Sequence, residues 1–487
     1  MWVLIALLVA AGPLLRGAWD LWAQTLLLSA AAFGTALWLS ARVAGGTVPA
    51  LPWKVLVWTG VLALLGWAAA AFSPVAALSL PEWRWRLGGL WVFAVLAAVS
   101  EEDRESVDTA IHAAAWVLVL LAFWQRFMEG QGRPPGSLLK ENVFAGSCLF
   151  FLPLAVRRRD YLLLAALLAG MLWSRSVGAW LALALALLLL RSKNGLGRAM
   201  VAVLAVICAG AVAAKFRDAA VLDRLSWWSA AWRMFLERPW SGWGPGAFGH
   251  LLPAFSQEGG IRSLYAHQSL LESLAETGWL HTLLLFGGAG VLLLKGRTHR
   301  TFGAAAVFFQ SLWDLTLSIP ADSWLFSYCA GSSIRPVSRQ VQVPLRWRLP
   351  VIILILGAGS LATGSLWNAW QADRLRAMAR GLLEGAPSAG DVRRARSLLD
   401  ASVGREDHPD ARVLLAEAGL RAGQPGDGEA LASAAGHLER AIELDPYRAG
   451  TWRSLETVYR GLGRTDAAAA ALSRGRAFCP SLVGAGD

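Results

Sequence analysis

Residues 171–190 read MLWSRSVGAWLALALALLLL. One apolar run ends at Trp173, a second begins at Val177, and the polar turn between them carries a single arginine, Arg175. Two runs this close together read as short crossings joined by a hairpin, because a segment inside a bilayer satisfies its backbone only by being helical or by closing a barrel. The turn then holds its guanidinium near the membrane surface, either as an arginine that snorkels and caps the hairpin or as a binding group.

The rest of the chain agrees with this reading. Its 487 residues are 56% hydrophobic and include 26 tryptophans, with a mean hydropathy of +0.46, which excludes an ordinary soluble globule. Apolar runs recur around residues 2–15, 20–40, 52–72, 86–100, 107–127, 143–156, 161–173, 177–191, 199–214, 269–294, 302–319, 322–334 and 350–369. The expected fold class is therefore all-α: a polytopic membrane helix bundle of about thirteen crossings, followed by a C-terminal helical domain. The opening MWVLIALLVAAGPLL has no basic leader and no small-residue cleavage site, so it reads as a retained first helix.

The formal net charge of +11 raises nucleic acid as a partner. From Asp373 onward, however, 16 arginines balance 16 acidic residues, so the surplus lies in short loops of the membrane part. Basic residues there orient helices, and no nucleic-acid partner is expected. The clusters Arg157 to Arg159, Arg191 with Lys193 and Arg198, and Lys295 with Arg297 and Arg300 fall on one side if the runs alternate. That side reads as cytoplasmic. The opposite face then receives the Arg175 turn, the long segment 215–268 and everything beyond Trp370. The four cysteines are scattered without metal or disulfide spacing.

Two domains follow, 1–370 in the membrane and 371–487 outside it. The tail places Pro446 and Pro480 one tetratricopeptide period apart, and Ala441, Trp452, Leu455, Tyr459, Gly463, Ala467 and Ala471 supply the small and large apolar positions that stacked helix pairs need. Such a surface fits a protein partner or an acceptor chain.

On the outer face, DRLSWWSAAWRMFLERPWSGWGPGAF has a helical stripe of Leu225, Trp228, Trp232, Phe235 and Leu236, preceded by Arg224. It reads as a helix on the membrane surface with tryptophans at headgroup level. The glycines after it would let backbone approach a ligand closely, or only form turns. YAHQSLLESLAETGWLH, residues 265–281, brings His267 to the mouth of the next apolar run. Two arginines and a histidine on one face suit a lipid-linked diphosphate: guanidinium forks match phosphate oxygens, and a neutral imidazole can take a proton from an attacking hydroxyl. Asp314 sits inside an apolar run, where an ionisable residue is functional or paired.

From about Gly136 to Gly331 the chain resembles the O-antigen ligase and polymerase superfamily of bacterial envelope glycosyltransferases. The likeness is carried by Asn142, Phe144 and Ala145, by WSRSVGAW, by the Arg224 helix with its Pro-x-x-Gly-x-Gly, by the His267 stretch and by SLWDLTLSIPADSWLF. In the ligase pattern His267, Gln268 and Gly278 fit, while His281 stands where the family has Gly, Thr or Tyr. The resemblance implies a GT-C type of fold in a bacterial inner membrane, with site and repeats facing the periplasm or exterior. It implies inverting transfer, without metal or other cofactor, from an undecaprenyl-diphosphate-linked saccharide to a glycan, lipid or protein acceptor in lipopolysaccharide or related polysaccharide assembly. His267 would be the general base, and Arg175 and Arg224 would hold the diphosphate. Gln268, Arg262, Tyr265, Asn142, Asp314 and Glu276 are the further site-lining expectations. A polymerase of the same superfamily and a bicarbonate-like anion transporter stay open as alternatives.

Overall fold

The computed structural model describes residues 1–188, 202, 206, 210, 219–256, 263–424, 426–480 and 482. Among the described residues five helices are long and apolar enough to cross a membrane: Leu21–Ala44, Trp53–Ala71, Glu101–Phe127, Ser269–Lys295 and Leu345–Leu383. Trp2–Leu14, Tyr161–Ser174 and Val177–Ala186 are shorter apolar helices. The remaining apolar runs fall on Ala76–Val95, Glu141–Arg158, His299–Gln310 and Pro320–Gly331, which are short or carry charges. The run at 199–214, Cys208 and the cluster Arg191, Lys193 and Arg198 lie wholly or largely outside the described residues. A small antiparallel ribbon, Thr47–Pro49 with Gln340–Gln342, pairs two loops within an otherwise helical fold.

The core of the bundle is aromatic and aliphatic, with Ile5, Leu118, Phe144, Phe151, Trp324 and Tyr328 fully buried. Small residues let helices approach: a Cβ on Gly359 of the longest helix would meet Ala36 of Leu21–Ala44. Beyond that seam Leu349, Ile353, Leu354 and Leu361 remain exposed, as lipid-facing residues are.

One end of the bundle is tied by a polar knot. Arg300 bonds Asp108 at 3.0 Å and Glu101 at 2.6 Å, and Arg157 pairs with Glu105 at 2.5 Å and Asp108 at 3.3 Å. Tyr328 donates to Asp108 at 2.8 Å. Arg157 and Arg300, one from each of two predicted basic clusters, thus share one end and pair with carboxylates of the single helix Glu101–Phe127.

Leu345–Leu383 has 39 residues, about 58 Å at 1.5 Å per residue, well beyond a hydrocarbon core of about 30 Å. The boundary expected at 370/371 falls within it. The last crossing and the first helix of the tail are one rod. Beyond it, Ala389–Val403, Pro409–Ala422, Gly428–Leu444, Ala449–Gly461 and Thr465–Phe478 stack in sequence as helical hairpins. Trp452, Leu455, Ala435 and Leu438 fill the last pair of hairpins, and the Trp452 indole donates to the Pro446 carbonyl at 2.7 Å.

The tail docks on the membrane part. Glu406 pairs with Arg84 at 3.0 Å, Asp445 lies 3.8 Å from His250, and the Tyr447 ring meets Trp243 edge-on at 6.4 Å. These contacts put the helical hairpins of the tail against the segment that leads to His267.

Candidate functional site

His267 lies in the loop before Ser269–Lys295 with a left-handed backbone, φ 54°, a conformation that costs a non-glycine residue of order 1–3 kcal/mol unless its surroundings impose it. Two groups impose it. The Ala266 N–H donates to Glu272 Oε2 at 2.9 Å, and Gln268 caps the helix by accepting from the Leu271 N–H. Glu272 is fixed in turn by the Ser318 hydroxyl at 2.8 Å. His267 is 8% exposed, and its imidazole stacks on Trp227, with centroids 5.1 Å apart and planes 24° apart. Its Nδ1 points at Asp314 Oδ1, 3.8 Å away, and has no hydrogen-bond partner among the described residues. That separation is too long for a hydrogen bond, but catalytic contacts often tighten only when substrate is bound.

The sequence placed Asp314 within an apolar helix. It sits instead in the turn between His299–Gln310 and Pro320–Gly331, where the Leu315 N–H donates to its Oδ1 at 2.8 Å. This turn is the hub of the site. Arg224 Nη1 donates to the Trp313 carbonyl at 3.2 Å, and the Trp313 indole donates to the Gly178 carbonyl at 3.1 Å. The Ser269 N–H donates to the Ser311 carbonyl at 2.8 Å. Through residues 311–314 the Arg224 helix, the Arg175 hairpin and the His267 helix are fastened to one another. Arg224 and Trp227 are three residues apart, on one face of Ala219–Glu237, so one helix face carries both the guanidinium and the ring on which His267 stacks. The opposite face exposes Leu225, Trp232 and Leu236, most of the predicted stripe.

Arg175 occupies the left-handed cap of Tyr161–Ser174, exposed, with no side-chain partner among the described residues. Arg133 reaches the neighbouring Ser174 carbonyl at 2.9 Å, placing a second guanidinium at this turn. Tyr265 packs on Trp19 with centroids 5.8 Å apart, and burial pushes its phenol well above the ordinary range, so it keeps its proton. Asn142 lies beside the site through its carbonyl, which accepts from Gln310 at 3.3 Å. Arg262 lies outside the described residues.

Glu276, one of the site-lining expectations, is buried and paired with Arg86 at 2.7 Å, beside a cavity of about 140 Å³ whose walls include Arg86, Glu272, Glu276, Ser318, Phe286 and Phe326. The glycines at 242–249 approach their own chain rather than open space. Gly278 breaks its helix at φ 76°, ψ 174°, and the Pro239–Gly244 loop closes on the break: Trp243 N–H to Ala275 O at 2.9 Å, Gly244 N–H to Glu276 O at 2.8 Å, and Trp279 N–H to Pro239 O at 2.9 Å. A Cβ on Gly242 would strike the Glu276 backbone, and one on Gly278 the Trp240 carbonyl. His281 lies beyond the break, bonded to Thr277 at 2.8 Å and edge-on to Trp83.

Residues 162–286 match the O-Antigen ligase family. The match covers about a quarter of the chain and supports the O-antigen ligase superfamily, a membrane glycosyltransferase-like group of ligases and polymerases. It contains Arg175, Arg224 and His267, whereas Asn142 and the 311–314 turn lie outside it. No curated protein matches the chain. Among the described residues no three His, Cys, Asp or Glu side chains gather as a metal-binding group. Sequence reasoning missed Trp227, Trp313, Arg133 and Arg86 as parts of the site, while Glu272 stands out in the sequence five residues after His267. The available signals for the missed residues were Trp227 one helical turn beyond Arg224 and Trp313 beside Asp314.

Proposed function

We propose that this protein is an integral-membrane glycosyltransferase of the O-antigen ligase type, transferring a saccharide from an undecaprenyl-diphosphate-linked donor to an acceptor hydroxyl. The observation that carries the reading is the convergence of Arg224, the Arg175 hairpin and the His267–Asp314 pair on the single turn at residues 311–314. His267 takes the acceptor's proton as its oxygen attacks the anomeric carbon, and the carbon–oxygen bond to the diphosphate breaks. Attack from the face opposite the leaving group inverts the centre. The imidazolium formed is opposed by Asp314, while Trp227 holds the ring in plane. Arg175 and Arg224 bind the departing diphosphate, supplying at fixed positions the positive charge that a divalent cation supplies elsewhere. The site and repeats face the periplasm or cell exterior of a bacterial inner membrane, where the tetratricopeptide-like tail holds a protein partner or the acceptor. Ligase and polymerase differ only in whether the acceptor is a lipid or protein, or a further donor-linked chain.

The test is transfer in host membranes supplied with purified undecaprenyl-diphosphate-saccharide, with and without EDTA. Transfer that survives chelation supports the reading, and product length separates ligase from polymerase. Failure to transfer any donor, together with anion flux across sealed vesicles, would replace it with transport.

A further inference from the structure

A second basic cleft lies where the repeats meet the membrane part, apart from His267. It has a volume of about 390 Å³ and is bounded by Arg84 from Ala76–Val95, by Ser360, Gly364, Ser365 and Asn368 of the longest helix, and by Arg405 and Glu406 just beyond the tail helix Ala389–Val403. Two arginines face one carboxylate, so the lining is positive by one charge. Arg84 spends Nη2 on Glu406 at 3.0 Å, while its buried Nη1 has no partner among the described residues. Among the described residues the Arg405 side chain meets only the neutral Asn368, at 3.4 Å. On the longest helix, Leu361, which lines the cleft, and Leu354, two turns before it, are 78% and 72% exposed, as lipid-facing residues are. Trp367 and Trp370 pack edge-on at 5.1 Å, and Arg374 lies over Trp370. That order of leucines, then tryptophans, then charge marks the headgroup level of a bilayer.

We infer that this cleft binds the phosphodiester headgroup of an anionic phospholipid and thereby fastens the repeat domain to the membrane domain. The free Arg84 Nη1 and the exposed Arg405 guanidinium supply charged donors, Ser365 and Asn368 supply neutral ones, and the acyl chains run down past Leu361. A zwitterionic lipid brings a compensating cation for which Glu406, already paired with Arg84, is a poor partner.

The test uses the full-length protein, delipidated in neutral detergent, titrated with phosphatidylglycerol, phosphatidylcholine or inorganic phosphate, and read by native mass spectrometry. Wild type is expected to hold one phosphatidylglycerol at least about tenfold more tightly than phosphatidylcholine. Arg84→Gln and Arg405→Gln each weaken it about fivefold, the effect of one basic residue near a membrane surface. Glu406→Gln breaks the same ion pair as Arg84→Gln yet tightens binding. Equal weakening by Arg84→Gln and Glu406→Gln would make the pair merely structural and overturn the assignment. Absence of a headgroup preference, or displacement of the lipid by millimolar phosphate, would overturn it as well. Should the arginine variants misfold, Ser365→Trp fills the cleft without changing charge, and lipid retained by that variant contradicts the proposal.

Discussion

His267 is held in place by Glu272 and Gln268, so its neighbours provide sharper tests than its own removal. Glu272→Ala leaves the Ala266 N–H and the Ser318 hydroxyl without their acceptor, each a loss of about 1–3 kcal/mol for a buried polar group. Transfer is expected to fall through kcat with the donor KM little changed, and Glu272→Gln is expected to recover part of it; equal kcat in Glu272→Ala and wild type would remove Glu272 from the account. Arg224→Lys keeps the charge but loses the guanidinium fork, so the donor KM is expected to rise about tenfold or more, measured against labelled donor. Arg175, Arg224 and His267 are legible in the sequence because charged side chains beside apolar runs are rare and costly. The ring on which His267 stacks and the carbonyl that holds Arg224 are not, because Trp227 reads as one more belt tryptophan and a backbone acceptor at Trp313 leaves no mark in composition.

Among the elements, the apolar runs lead directly to helices because bilayer length and backbone satisfaction admit little else. The break at Gly278 escapes this reasoning, since the hydrophobic pattern continues past it. Gly278→Ala is expected to destabilise the protein by more than the roughly 1–3 kcal/mol of left-handed strain, because the added carbon also meets the Trp240 carbonyl. Gly290→Ala, in the same long helix with nothing within 4 Å of the added carbon, is expected to be neutral or slightly stabilising. Thermal unfolding in detergent compares the two, and equal midpoints would show that the Pro239–Gly244 clasp does not constrain the break. Asp314 was misplaced for a related reason. A Trp-Asp-Leu-Thr sequence between apolar residues reads as continuous helix, and only packing against Ser269 and Arg224 shows it as a turn.

Across the whole molecule, the recurrence of proline in the tail anticipates the stacked hairpins, while the docking of that tail on Arg84, Trp243 and His250 depends on surfaces far apart in sequence. The docked side is rich in buried titratable groups. Burial, reinforced by Arg376, lowers His408 to about 3, and burial lowers His250 as well. Against the upward push of burial, Arg448 holds Asp410 below the ordinary carboxylate range. A histidine with a depressed folded-state value gives full stability above its ordinary value of 6.5 and loses it as pH falls, because the unfolded chain takes the proton first. The tail is therefore expected to lose stability progressively from about pH 6.5 down toward 3, with Asp410 adding to the loss only below about 4. His408→Asn puts an amide oxygen in place of the Nδ1 that accepts from the Asp410 N–H at the helix cap and is expected to flatten the upper part of that profile, as followed by proteolysis of the tail between pH 7 and pH 5. An unchanged slope would show that His408 is free to protonate when folded.

In the function proposed above, one turn gathers a base and a diphosphate clamp. This function is tested most directly by measuring donor binding and single-turnover transfer in the same reconstituted preparations of wild type, His267→Ala and the Arg175→Ala, Arg224→Ala double variant. The account predicts that His267→Ala binds undecaprenyl-diphosphate-saccharide within about twofold of wild type but transfers roughly 10²–10⁴-fold more slowly, whereas the double arginine variant loses donor binding. Transfer by His267→Ala at the wild-type rate, or undiminished donor binding without both arginines, would contradict it.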